Sequence, residues 1–509
     1  MILNEILASE QIGFPILSAL IFLPLVAIAL LAAIRDERTA FTVAVVASAI
    51  ELGLAGLAMV SFKLGTADMQ FVERVGMYHL GLDGISALFI PVTALLALLA
   101  VLSSEAAVKH NVRGYLMAML GFEAAMMGAF ASIDLMLFWA FFVLELVPSY
   151  FLITRYGTGE KRHAAANNYL FMMVVAAAVL LIGIVKLSGA AGGESTFDLV
   201  ALLKNPIPAA AQTQIFLLLC LGLAIKAPIF PFHTWMPRVL EHGPVVGASV
   251  FLVGVKLGTY GFLRFVIPLL PDASREWFWL LALLGAIGMV YGALIALIQT
   301  NLRRLLAFAS LSHMGVVMLG LFSLNFQGMQ GGLLQMINLG VTGAGLFFVA
   351  GFLYTRLGPP ELSSMGGLGR RMPILALAFL VIGLAGIGMP GTSGFNGEHL
   401  VMLGAYRMHW LMALAVGAGT FLTAAYFLLF YQRAFVESPR QAAASTLPDL
   451  NPRELIIAGA MAAVIFAIGL FTGPFLNVMD ASLQAVAKQV ERGAPTLQHP
   501  SLLPPAAPR

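Results

Sequence analysis

The chain has 509 residues, of which 60% are hydrophobic and only 10% charged, and its net charge is +3. A soluble globular domain carries about 25% charged residues, so this composition excludes one and marks a multi-pass protein in contact with a lipid bilayer. The weak, dispersed positive charge implies no nucleic-acid partner, and a lone cysteine, Cys220, excludes disulfide frameworks and thiolate-held clusters.

In chain order, fourteen apolar segments are long enough to cross a bilayer, which takes about 20 residues. They centre on 12–33, 41–62, 80–103, 113–131, 134–154, 166–188, 212–231, 244–266, 277–299, 304–323, 328–352, 374–397, 408–431 and 455–475, numbered here as spans 1 to 14. Most connections are short. The longest polar ones fall near 63–79, 189–211, 355–373 and 433–454, and no soluble domain fits between the spans. The sequence therefore predicts an all-α polytopic fold forming one membrane domain over 1–509. The start, MILNEILASEQ, has no basic n-region, so no cleaved leader is expected. The proline-rich end, GAPTLQHPSLLPPAAPR, is expected to be a loose tail.

Of the 28 Lys and Arg residues, sixteen fall in odd-numbered loops, and ten in even-numbered loops, span ends and termini; Lys226 and Lys256 lie inside spans. Basic loops stay on the cytoplasmic side, so the odd loops are expected there and both termini outside.

A charge at the bilayer centre costs about 2.5–3.5 kcal/mol on insertion scales, so each one marks a functional hypothesis. The candidates are Glu51, Glu123, Glu145, Lys226, Lys256, His313 and Glu398. Glu51 and Glu123 sit either at mid-depth or near a span end where they reach water. Asp83 and Asp134 fall at span starts and read as helix N-caps. His233 and His242 flank a helix break and are open to a surface position.

Lys226 lies in LGLAIKAPIFPFHTWMPRVLEHGP, just before Pro228 and Pro231. Proline removes a backbone donor and breaks a helix. At membrane depth such a break is tolerated only where the backbone is buried in protein or lines a watery cavity. A lysine beside it is suited to taking up and releasing a proton, and Glu145 is the nearest carboxylate in sequence to pair with it. Lys256 lies in the glycine-loosened VGVKLGTYGFLRF, and His313, in LLAFASLSHMGVVML, can carry a proton near neutral pH. A second break, MPGTSGFNGEH at 389–399, leads into Glu398. There Thr392, Ser393 and Asn396 can satisfy freed backbone groups. In order, Glu145, Lys226, Lys256, His313 and Glu398 read as stations on a proton route. One or two could instead be helix glue, but five at mid-depth exceeds what glue needs.

The two breaks are five spans apart. Discontinuous helices at corresponding positions point to inverted repeats, here spans 4–8 and 9–13. The expected division is spans 1–3 over 1–110, the first repeat over 111–266, the second over 277–432, a loop and span 14 over 433–480, and a tail over 481–509. No nucleotide-binding glycine loop, CxxC motif or cluster of metal ligands is present. The chain is therefore expected to carry no cofactor, and its driving energy to come from partner subunits or an ion gradient.

The stretches LGLDGISALF, GLAIKAPIFPFHTWMP, KLGTYGFLRF, LIQTNLRRLLAFASLSHMGVVMLGLF and MPGTSGFNGEHLVMLGAY resemble the antiporter-like membrane subunits of respiratory complex I and their Mrp-type cation/proton antiporter relatives. The similarity runs from about 78 to 432. A glutamate in span 12 is similar to the chain M (subunit 4) branch, D-type in photosynthetic complexes, where other branches carry lysine. The resemblance implies proton translocation with Lys226, Lys256, His313 and Glu398 on the path. It also implies His233 as a secondary contact, and flavin, iron–sulfur clusters and quinone in partner subunits of a bacterial inner-membrane complex. Two positions depart from the family pattern. Val143 stands where the span-5 glutamate is usual, with Glu145 two residues on. That is a turn of about 200° on a helix, so Glu145 is expected to face away from Lys226 unless the helix bulges. In span 11, Leu339 stands beside Asn338 where a histidine is frequent, so a water or Thr342 would bridge. These departures leave room for a divergent duplicate of chain M, an Mrp-like Na⁺/H⁺ antiporter subunit, an ion-coupled inorganic-carbon-uptake subunit, or a spacer that has lost conduction.

Overall fold

The computed structural model describes residues 3–193, 195–245, 247–438 and 447–491; the expected tail at 493–509 lies outside them. All fourteen predicted spans are helical. Span 1 is Ile16–Ala33, span 2 Glu37–Ser61, span 3 Phe89–Ala107 and span 4 Val112–Ala131. Span 5 comes in two pieces, Leu135–Leu144 and Leu146–Tyr156, and span 6 is Arg162–Ala190. Span 7 is Ala209–Lys226 and, after a break, Trp235–His242. Span 8 runs from Ala248 through a π-helical stretch, Phe262–Val266, to Leu269. Spans 9 to 11 are Pro271–Leu297, Leu302–Leu321 and Phe326–Leu357. Span 12 is again divided, Pro373–Gly386 and Ser393–Met408, before span 13, Trp410–Tyr431, and span 14, Pro452–Leu470.

Burial separates these helices into two classes. In the most apolar stretches of spans 4, 8, 10 and 11, 83%, 100%, 89% and 94% of residues are buried, against 33–39% in spans 1, 2, 5, 6, 13 and 14. The outer spans present Leu, Val, Ile and Phe to lipid, whereas the central ones face only protein. Polar groups placed on the central four are thus shielded from hydrocarbon, and those spans hold Glu123, Lys256, His313 and Asn338.

Three local features depart from the sequence expectation. The loop near 63–79 is not irregular: Met69–Val75 and Tyr78–Leu82 form an antiparallel hairpin, joined in parallel by Glu5–Leu7. Asp83 is not the N-cap of span 3, whose helix begins at Phe89; it accepts from the Ile85 N–H (2.9 Å) and pairs with buried Arg264 of span 8. Asp134 does cap its helix, accepting from the Met136 and Leu137 N–H groups at 2.8 and 2.9 Å. Finally, an amphipathic helix, Thr472–Glu491, crosses the boundary expected at 480. Its Asp480 accepts from Gln330, its Ser482 hydroxyl accepts from the Gly84 N–H (3.0 Å) and its Val490 carbonyl accepts from Arg275. It therefore lies across the starts of spans 3, 9 and 11.

Candidate functional site

The first break leaves carbonyls without their helical donors, because Pro228 and Pro231 carry no N–H. The Ala224 carbonyl takes the Ile229 N–H instead (3.0 Å), and the indole of Trp235 donates to the Ile225 carbonyl (2.9 Å). Backbone departure from the helix right after Lys226 is thereby satisfied inside the protein. Lys226 itself is 2% exposed, donates to a carboxylate oxygen of Glu145 and lies 5.2 Å from the centre of the Phe142 ring.

The expected orientation of Glu145 is corrected here: it faces Lys226. Span 5 is interrupted at Glu145, where Pro148 withholds the N–H that the Leu144 carbonyl would accept. Glu145 nonetheless keeps helical φ and ψ of −59° and −25°, so the turn from Val143 stands; the Glu145 position, not the half-buried Val143 position, is the one that faces Lys226. Glu145 also accepts from the Ser149 hydroxyl at 2.7 Å and the Tyr169 hydroxyl at 3.0 Å. A buried charge needs a partner and hydrogen bonds to persist, and this carboxylate has both.

Span 8 lies against the pair. A Cβ added to Gly254 would stand 3.4 Å from the Glu145 carboxylate, and one added to Gly258 would meet the Ala227 backbone. Lys256, between those glycines, reaches the other way, to the Met314 sulfur of span 10 at 3.3 Å. It opens on an internal cavity of about 30 Å³ that it shares with His313, Leu339, Thr342, Thr423 and Tyr426. On that measure one water needs about 10–15 Å³. The Thr342 hydroxyl, buried and without a partner among the described residues, lines this space. The gap expected at Leu339 is thus a small, mostly apolar chamber into which Lys256, His313 and Thr342 bring polar groups.

On the far side, His313 Nδ1 lies 4.0 Å from Glu398 Oε1. Thr420 donates to Glu398 Oε2 at 3.1 Å. The carboxylate sits over the second break: a Cβ on Gly388 would come within 2.6 Å of Oε2, and Gly388 and Gly391 have φ of +70° and +86°. Only glycine meets both demands cheaply. Side chains tie this break to neighbouring helices. Asn338 donates to the Ser393 carbonyl (2.5 Å), Gln335 to the Gly394 carbonyl (3.3 Å), and Asn396 to the Gly469 carbonyl of span 14 (3.1 Å). Thr392 closes its own turn onto the Met389 carbonyl at 2.6 Å, while the Ser393 hydroxyl is buried without a partner among the described residues.

Residues 132–423 match the family model described as "NADH:quinone oxidoreductase/Mrp antiporter, TM". The chain is 33% identical over 488 residues to NADH-quinone oxidoreductase subunit M of Rickettsia prowazekii, covering 93% of this chain and 99% of that one. The chain belongs to the NADH:quinone oxidoreductase/Mrp antiporter family. A chain of respiratory complex I from Thermus thermophilus superimposes with a TM-score of 0.85 at 32% identity, over 93% of this chain and 99% of that one. A chain of the Mrp complex from a Dietzia species gives 0.82 over 94% and 100%, and at 22% identity this likeness speaks for the fold alone. This member is a multi-pass membrane protein of a complex I-like assembly whose partners are other membrane subunits.

The remaining predicted residues of this family member fall apart from the axis or support it. His233 is buried, not at the surface. It stacks on Phe230 (5.7 Å between centroids) and lines an open cleft with Lys161, Arg238, Glu241, His242 and Arg304. Asn338 is a clamp on the second break and not a station. Glu123 lies on the opposite flank of span 4, against Glu51 of span 2. Sequence reasoning missed Tyr169, Ser149, Thr420 and Gln335. Ser149 was legible, one turn after Glu145; the others come from distant spans and leave no local signal.

Proposed function

We propose that this chain moves protons across the bacterial cytoplasmic membrane as a non-redox subunit of an NADH:quinone oxidoreductase. Flavin, iron–sulfur clusters and quinone belong to its partner subunits. The observation that carries the reading is the axis itself: ionisable groups buried in the bundle centre run from one helix break to the other. Lys226 and Glu145 stand at the first break, Lys256 and His313 share one cavity, and Glu398 stands at the second. The loop charges place odd-numbered loops in the cytoplasm and both termini outside.

Glu145 pairs directly with Lys226. Losing an opposite charge about 4 Å away, at an effective dielectric of about 20, is worth about 4 kcal/mol. A signal from the redox partners that draws Glu145 away or neutralises it therefore suffices to send the proton on to Lys256. From there water in the chamber and the Thr342 hydroxyl relay it to His313, which hands it to Glu398 over the second break. The test is NADH-driven proton uptake by inverted membrane vesicles, run in sodium-free buffer. Lys226→Ala and Glu398→Gln are each expected to abolish it. Normal uptake by both variants, or uptake that requires Na⁺, would sink the reading.

A further inference from the structure

Apart from the proposed path, one pair of buried acids has no hydrogen-bond donor among the described residues. Glu51 lies in the middle of span 2 and Glu123 in the middle of span 4; both are 0% exposed, and their carboxyls face one another. Among the described residues, none of their four oxygens has a donor. The Ser48 hydroxyl, one turn before Glu51 on the same helix face, is also fully buried and without a partner. Position on the helix excludes the water-reaching reading: about ten residues, or ~15 Å of helix, separate each carboxyl from either end.

Among the described residues no cation is placed to neutralise them; Arg453 of span 14 lies over Phe41, near the start of span 2, and pairs with Glu105. Span 1, packed on both helices, has no ionisable residue. Span 2 offers only Glu37 and Arg38 at its start, span 3 only Glu105 near its end, and span 4 only Arg113 and Tyr115 in its first turn. On span 5, Glu145 is committed to Lys226, and Tyr150, Arg155 and Tyr156 lie towards its end. Lys256 and Tyr260 of span 8 bond elsewhere, to Met314 and the Phe130 carbonyl, and His79 of the hairpin to Asp198. An ionised carboxylate only accepts hydrogen bonds, whereas a protonated one donates. Two touching carboxylates at membrane depth cannot both ionise; one proton between them turns the contact into a hydrogen bond.

We propose that Glu51 and Glu123 form a second, off-axis proton-binding site: a carboxyl pair that holds one exchangeable proton between spans 2 and 4, with Ser48 beside it. Loading breaks no bond except that to the incoming proton's carrier; the proton is shared O–H···O between the two acids. Phe122, the residue before Glu123 and about 100° from it around span 4, packs beside Glu145 at Gly254, so the pair looks out on a different side of span 4 from Glu145. The site does not depend on the axis conducting.

The test is infrared difference spectroscopy of the whole complex in lipid, recorded in H₂O and D₂O. The wild type is expected to show a protonated-carboxyl C=O band that shifts in D₂O. The isosteric double variant E51Q/E123Q removes that band, while K226A keeps it. E51Q alone moves the band's pH midpoint by about one unit or more, since removal of a like-charged neighbour changes proton affinity at least tenfold. A band unchanged in the double variant, a band that never exchanges with D₂O, or one displaced by Na⁺ would each overturn the proposal. The last would make the pair a sodium site.

Discussion

The two helix breaks are built alike and loaded differently. At the first, Glu145 receives Lys226, Ser149 and Tyr169, and Lys226 lies against an aromatic ring: the pair is saturated. At the second, Glu398 has one hydroxyl donor and a histidine 4.0 Å away, over a glycine turn. A saturated ion pair holds its proton until something outside disturbs it. A lightly held acid beside a flexible break changes state with small rearrangements. On the proposed function the difference would give the path a direction, with a locked inlet at the first break and a responsive outlet at the second.

Four substitutions sharpen or break that contrast. The largest effect is expected from Lys226→Ala. It abolishes proton uptake and strands a buried carboxylate, costing about 3–5 kcal/mol, read as faster thermal inactivation of the assembled complex. Glu398→Gln keeps the Thr420 contact and the shape of the turn, so uptake is lost while thermal inactivation stays near wild type. If the two variants were equally destabilised, the contrast between a saturated and a lightly held site would be wrong. Tyr169→Phe removes one hydrogen bond to a charged group, worth about 1.5–3 kcal/mol. Uptake at fixed NADH oxidation should change roughly tenfold or more, with the Glu145–Lys226 pair retained. The smallest effect belongs to Thr342→Val, which removes one polar lining group from the chamber. Proton uptake should slow by about threefold, equal to about 0.6 kcal/mol, and a polar Thr342→Ser should restore it.

Much of this was legible in the sequence, for physical reasons that differ by feature. The spans were readable because hydrocarbon demands long apolar helices. The two breaks were readable because proline and glycine act on the backbone itself, whatever surrounds them. Lys226, Lys256, His313 and Glu398 stood out because charge inside such helices is expensive. Side-chain direction was not readable from one span alone. Glu145 was expected to point away because Val143 stands at the usual glutamate position, yet Glu145 is the one on the face packed against Lys226. The roles of Asn338 and Gln335 were hidden for another reason: a side chain that ties down a broken helix 55–59 residues away has no local signature. The hairpin at 69–82 was passed over because a stretch this short and mixed in polarity, in a loop, reads as a connection.

The central claim is that the two breaks work as one path through the middle of the bundle, and Lys256 is the group that joins them. Its replacement by methionine keeps the length and removes the charge. The most direct measurement is therefore protons taken up per NADH oxidised in inverted vesicles carrying Lys256→Met, with assembly of the complex checked alongside. The assembled complex is expected to take up clearly fewer protons per NADH than wild type. An assembled complex with the wild-type ratio and rate would contradict the claim.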